Sequence, residues 1–175
     1  MGPGEVGTPV VGPDAVYVAR GLLAGTGPHD IVAVDRADGT YRWIFAAPSG
    51  RQVFPGALAN GILYGVSDDG SIYALDPASG AVRWTVAAAS AQLGTLGSIV
   101  GNELYVTTAD RNAQAFNATT GARLWTIGVV GVPTQAAVVD GSVFLGTSLG
   151  HVYALRDPGL GATPAAVLDN SPNPP

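Results

Sequence analysis

The sequence contains no cysteine, and that excludes a disulfide framework, a thiolate zinc site and a thiol nucleophile. All eight basic residues are arginine, so with no lysine a Schiff-base mechanism is excluded as well. Glutamate occurs only at Glu5 and Glu103, and histidine only at His29 and His151. No basic stripe is present, and at a formal charge of −5 the net field would repel a phosphate backbone, so no nucleic-acid partner is expected. The apolar runs are all short, and none has the length of a membrane span. The start, MGPGEVGTPVV, has neither a charged lead nor an apolar core and does not read as an export signal.

What the 175 residues do contain is glycine (25), proline (13) and 47% hydrophobic side chains. Short apolar runs between many turn residues suit an all-β chain of short strands. The decisive feature is an internal repeat. AVDRADGTYRW (33–43), ALDPASGAVRW (74–84) and AFNATTGARLW (115–125) follow one another at 41-residue intervals. Ala33, Ala74 and Ala115 keep that phase, as do Gly39, Gly80 and Gly121, and Trp43, Trp84 and Trp125. A fourth copy begins at ALRDPG (154–159), but the position due for tryptophan is Pro164.

Upstream of each copy lies a two-residue turn and an alternating run centred on an aromatic: Tyr17, Tyr64, Tyr105 or Phe144. Asn60-Gly61 and Asp140-Gly141 favour the turn in which both central residues take positive φ, which closes a two-residue hairpin. A second turn (68–70, 110–112, 148–150) and a third ending in glycine make each repeat four antiparallel strands, A to D. A repeated four-stranded meander of about 40 residues is the blade of a β-propeller. The expected organisation is a lead-in at 1–7, blade one at 8–45 with an insert at 20–30 between strands B and C, and blade two at 56–86. Blade three follows at 95–127, an incomplete blade four at 135–159, and a proline-rich disordered tail at 160–175.

These residues resemble the pyrroloquinoline-quinone-type (PQQ-like) propeller repeats, whose tryptophan-docking motif runs Ala-x-Asp-x-x-Thr/Ser-Gly-x-x-x-Trp. Residues 74–84 match at every named position; 33–43 carry Asp38 for the hydroxyl residue, and 115–125 carry Asn117 for the aspartate. The resemblance spans about residues 8–159. It implies that Trp43, Trp84 and Trp125 lie against Ala33, Ala74, Ala115, Gly39, Gly80 and Gly121 of adjacent copies and lock blade to blade. A large apolar plate seated on small residues is also what the residue types alone favour. Family propellers have seven or eight blades. The chain is therefore expected to be a piece of a longer protein, the alternatives being a self-closed four-bladed ring and a homodimer forming eight.

In such a meander the B–C turns and D–A links share one end, which gathers His29, Asp30, Arg51, Gln52, Asp110, Arg111 and His151. That end is the expected face for a protein partner or small ligand, because binding residues ride on loops held by a rigid scaffold. Asp68 and Asp69 read as turn formers, Arg42 and Arg83 as solvated strand positions, and Asn117-Ala-Thr as a turn with the form of a glycosylation sequon. His29 and His151 lack assignable third and fourth ligands, so no metal site is expected. No nucleophile elbow, phosphate loop or metalloprotease helix is present, and no catalytic residue is assigned.

The expected function is a non-catalytic scaffold that needs no cofactor. A fragment of a PQQ-dependent alcohol or sugar dehydrogenase, binding the quinone and calcium, is the alternative, and a purely structural repeat is a third. The sequence itself fixes no cell compartment; the resemblance implies the periplasm or cell surface. An arginine-only basic set in an Ala-, Gly- and Val-rich chain suits a GC-rich bacterial genome.

Overall fold

The computed structural model of the protein describes residues 8–21, 29–88, 95–139 and 142–156. Among these are fifteen strands and no helix. β1 (Val10–Val11), β2 (Ala15–Arg20), β3 (Asp30–Asp35) and β4 (Tyr41–Ala46) form the first sheet, and β5 (Val53–Ala59), β6 (Ile62–Ser67), β7 (Ser71–Leu75) and β8 (Val82–Ala87) the second. The third holds β9 (Thr95–Val100), β10 (Glu103–Thr108), β11 (Asn112–Asn117) and β12 (Arg123–Gly128), and the fourth β13 (Ala137–Val139), β14 (Ser142–Gly146) and β15 (Val152–Arg156). Every sheet runs in sequence order with antiparallel neighbours, which is the expected meander. The expected fourth strand of blade four, the lead-in, the tail and the Asp140-Gly141 turn lie outside the described residues, as do residues 22–28 of the insert.

The turns form for the reasons their residues suggest. Asn60 and Gly61 both take positive φ (52° and 68°), as a two-residue hairpin requires. The B–C turns are closed by Gly70 N–H donating to Ser67 O at 3.0 Å, Arg111 N–H to Thr108 O at 3.0 Å, and Gly150 N–H to Thr147 O at 3.0 Å. Gly70 and Gly150 sit at φ 84°, and Arg111 occupies the same place at 67° despite its side chain.

The C–D turn is the most regular element. In blade two the Asp76 carboxylate accepts from Ala78 N–H and Ser79 N–H at 3.0 Å, and Gly80 N–H donates to Asp76 O at 2.8 Å. Blade one repeats it with Asp35 and Gly39, and blade three with Asn117 and Gly121.

The chain divides into two compact units, Met1–Leu93 and Gly94–Pro175. In the first, Tyr17, Ile31, Ala33 and Phe45 of blade one pack with Val53, Leu63, Tyr73 and Leu75 of blade two in one buried cluster. In the second, Tyr105, Ala113 and Ala115 of blade three pack with Val143, Leu145, Tyr153 and Leu155 of blade four. Gln135 Nε2 donating to Leu96 O at 3.2 Å and Ser98 Oγ donating to Ala136 O at 3.0 Å tie those two sheets together.

Candidate functional site

Two groups of residues follow from the sequence: the Ala, Gly and Trp of the repeat, and the loop residues of the B–C/D–A end. For the first group, each alanine is the register partner of the tryptophan in its own blade, Ala33 with Trp43, Ala74 with Trp84 and Ala115 with Trp125. All three alanines are fully buried. The neighbouring copy contributes a different surface. Trp43 Nε1 donates to Pro77 O at 3.0 Å, and Tyr17 Oη donates to the same carbonyl at 3.1 Å. The two rings lie side by side, with centroids 5.6 Å apart.

Beneath the indole is Gly80, where an added Cβ would come within 2.7 Å of Cδ2 and Cε3 of Trp43. Glycine is needed there twice over, for its φ of 73° and for the plate above it. Burial raises the Tyr17 phenol above its ordinary pKa, so it keeps its proton for Pro77 O throughout the neutral range.

Immediately after each Ala–Trp pair the C–D ladder slips by one residue, at Ala33/Val34, Ala74/Leu75 and Ala115/Phe116. The extra residue is Arg42, Arg83 or Leu124. A bulge breaks side-chain alternation and re-aims the residue it expels. Arg42 turns to Asp35 and Arg83 to Asp76, each at 2.7 Å, so these arginines are more than solvated positions. The Arg83 guanidinium, with the Ser79 hydroxyl and amide, lowers the Asp76 carboxyl to about 2.

For the second group, the structure brings four residues together in the first unit. His29 Nδ1 lies 3.0 Å from Gln52 Oε1, linking the end of the insert to the start of blade two. Gln52 also crowds Gly21, whose hypothetical Cβ would meet its Oε1 at 1.8 Å. Arg51 Nε is 3.1 Å from Asp68 Oδ1 at the adjacent B–C turn. Asp30 is held by Arg20 through Nε at 3.0 Å and Nη2 at 2.8 Å and is almost fully buried, so its carboxylate serves an internal pair. Arg20 was not singled out by the sequence reading, although the Arg-Asp pair flanks the insert and could have been read as its clasp.

In the second unit Asp110 accepts from the Thr108 hydroxyl and from Asn112 Nδ2, the latter at 3.1 Å. Arg111 is exposed, and the His151 ring stands 6.4 Å from that of Tyr153. His29 and His151 fall in different units. Among the described residues no three His, Asp or Glu side chains are grouped as metal ligands. A cavity of about 350 Å³ opens at the opposite end of blade one, lined by Pro13, Asp14, Asp35, Arg36, Ala37 and Arg42. Its charged groups hold the turns: Arg36 donates to Pro13 O at 2.8 Å, and Arg42 pairs with Asp35.

A family model described as outer membrane protein assembly factor BamB matches residues 28–159. The chain belongs to this PQQ-like propeller family. Its fold is similar to that of BamB from Moraxella catarrhalis, at a TM-score of 0.69 and 20% identity over 86% of this chain. It is also similar to the computationally designed protein Ika4 (TM-score 0.71, 15% identity, 87% of this chain and 91% of that one). The designed Ika8 matches at a TM-score of 0.67 and 16% identity, over 86% of this chain and 45% of that one. At these identities the likeness is one of fold. The chain spans 46% of the length of the BamB chain it matches. No curated protein matches it in sequence.

Proposed function

We propose that this chain is a non-catalytic scaffold of a bacterial extracytoplasmic protein, which holds a protein partner on the B–C/D–A end of its blades. The observation that carries the reading is where the chemistry-bearing side chains go. Asp35, Asp76 and Asn117 are taken up in capping C–D turns, Arg42 and Arg83 in clamping those turns, and Asp30 and Arg20 in pairing with each other. What remains for recognition is a set of polar loops on stiff blades. Membership in a family described by outer-membrane protein assembly favours a protein partner and an extracytoplasmic home.

The scaffold works through the lock between copies. The Trp43 plate on Gly80, sealed by two donors to Pro77 O, lets blades one and two move as one body. We extend that role to Trp125, which packs against the buried cluster shared by blades three and four. Rigid blades fix His29, Gln52 and Arg51 on one end, so a partner meets loops whose ordering entropy is already spent.

The test uses the full chain as bait in an extracytoplasmic extract, beside a variant with residues 22–28 replaced by a short Gly-Ser linker. Capture that is lost in the variant and with Arg51→Ala supports the reading. Titration with pyrroloquinoline quinone and calcium, followed by quinone absorbance, is expected to show no saturable binding. Saturable binding at micromolar quinone would replace the scaffold by the dehydrogenase fragment.

A further inference from the structure

The B–C turns of blades two, three and four close alike, with Gly70, Arg111 and Gly150 each donating N–H to the carbonyl three residues back. Two positions in these turns depart from the repeat. Where blades two and four have glycine at positive φ, blade three has Arg111 at 67°, a conformation that strains an L-residue. Where blades two and three have Asp69 and Asp110, which accept hydrogen bonds inside their own turns, blade four has Leu149. Neither change serves the turn. In blade three the Thr108 hydroxyl donates to Asp110, whereas its counterpart Thr147 is buried with no hydrogen-bond partner for its hydroxyl among the described residues. Departures that cost the fold and gather at one place point to a demand from outside it.

Both departures reach the same surface of the second unit. Arg111 O accepts from Val129 N–H at 2.8 Å, where the link from blade three to blade four begins. Along that link Val130 and Val132 are 54% and 44% exposed. Leu149, 64% exposed, rises beside them, its Cγ 3.1 Å from the place of a Cβ on Gly131. Hydrogen bonds brace the link: Val130 N–H donates to Tyr153 Oη at 2.9 Å, Val132 N–H to Ser148 Oγ at 3.0 Å, and Ser148 N–H to Val132 O at 2.9 Å. The tip of the B–C turn is exposed in blade three as well, so exposure belongs to the position. The corresponding junction of blades one and two is polar, with Arg51 meeting Asp68. The Arg111 guanidinium makes no ion pair or hydrogen bond among the described residues.

We propose that Val130, Val132 and Leu149, with Arg111, form a docking surface for a protein partner. It takes a segment that carries an apolar side chain beside an aspartate or glutamate. Charge complementarity sets the second requirement, because a carboxylate supplies the acceptor that the Arg111 guanidinium lacks. The three clustered apolar side chains on a braced link set the first, since they bury area against a partner without first having to be ordered. An anionic membrane would also accept apolar tips beside a cation, but the formal charge of −5 opposes it. The inference rests on the scaffold reading for the existence of a protein partner, and adds where the second unit holds it and by what chemistry.

The experiment pans a library of random displayed peptides on the full chain and titrates synthetic copies of those selected by fluorescence anisotropy. Leu149→Asp and Arg111→Gly each restore the residue of the other copies, so both variants are expected to melt no lower than the wild type. Lost binding is thereby separated from lost folding. The selected peptides are expected to share an apolar residue and a carboxylate, and to lose at least about tenfold in affinity with either variant. Peptides without a carboxylate, peptides that bind either variant undiminished, or a failure to select any overturn the proposal. So does pelleting of the wild type with phosphatidylglycerol vesicles while Leu149→Asp stays in solution, which would replace the partner by a membrane. Capture from the extract separates this surface from the reading beneath it. Capture that survives Leu149→Asp but not Arg51→Ala keeps the scaffold and removes this surface; no capture by any form removes both.

Discussion

Substituting Gly80 by alanine tests the lock between blades one and two at its tightest point. Two costs add. An L-residue at φ 73° costs about 1–2 kcal/mol relative to glycine. The new methyl, at 2.7 Å from two atoms of the Trp43 ring, forces the plate to lift, an overpacking cost of about 1–3 kcal/mol. Reduced freedom of the unfolded chain returns about 0.4–1 kcal/mol. The net expectation is about 3 kcal/mol of destabilisation, set mostly by how far Trp43 can yield while Nε1 still reaches Pro77 O. Gly50→Ala is the control: φ is 69° and nothing lies within 4 Å of its Cβ, so only the backbone cost of about 1 kcal/mol applies. Urea unfolding in dilute solution, followed by indole fluorescence, reads the difference. Placing Gly80→Ala in a Trp43→Ala background should shrink its cost to that of Gly50→Ala. If the two glycines cost the same within about 0.5 kcal/mol in the parent chain, the plate is not seated on Gly80 and the reasoning is refuted.

Three further outcomes are expected. Tyr17→Phe removes one of two donors to Pro77 O and leaves the carbonyl satisfied by Trp43, so it should destabilise by only about 0.5–1.5 kcal/mol in the same assay. Arg111→Gly relieves a side chain at φ 67° and should stabilise the protein by about 1 kcal/mol, read as a raised urea midpoint; under the scaffold reading it also weakens capture of the partner. Asp76 gives a pH signature. Its folded pKa of about 2 lies below the ordinary 3.8, so its contribution is complete above 3.8 and disappears as pH falls through about 2. Asp76→Asn should flatten that part of the acid-denaturation curve, and Arg83→Ala should move the Asp76 carboxyl towards 3.8 in an NMR titration.

The blade was legible because its determinants are local. Asn60-Gly61 sets its own hairpin, Asp76 caps its own turn, and the 41-residue phase of Ala, Gly and Trp repeats the arrangement in order. The seat of the tryptophan was legible only in part. Gly80 carries a sequence signal, but the acceptor for Trp43 and Tyr17 is the backbone carbonyl of Pro77, and any residue supplies a carbonyl. The bulge was hidden for a similar reason. It leaves no composition mark, so alternation alone places Arg42 and Arg83 at the surface, where both are indeed exposed, without showing that the slipped ladder also pairs them with Asp35 and Asp76.

The third copy shows that a signal for that pair did exist. Copies one and two have aspartate at the head of the turn and arginine seven residues on; copy three has Asn117 and Leu124. Both partners change together, while the turn is unaltered: Asn117 still accepts from Thr119 N–H at 3.0 Å and Thr120 N–H at 2.9 Å. The carboxylate is therefore not needed to cap. Its charge serves the arginine, and once the arginine is gone a neutral amide does the same work without an unpaired charge. Comparing copies of a repeat within one chain separates a residue's two duties, much as a double substitution would. Applied to Phe144, the comparison is equally direct. Where Tyr17 donates its hydroxyl to the carbonyl of Pro77 in the neighbouring blade, Phe144 carries none, so its ring can offer apolar contact alone.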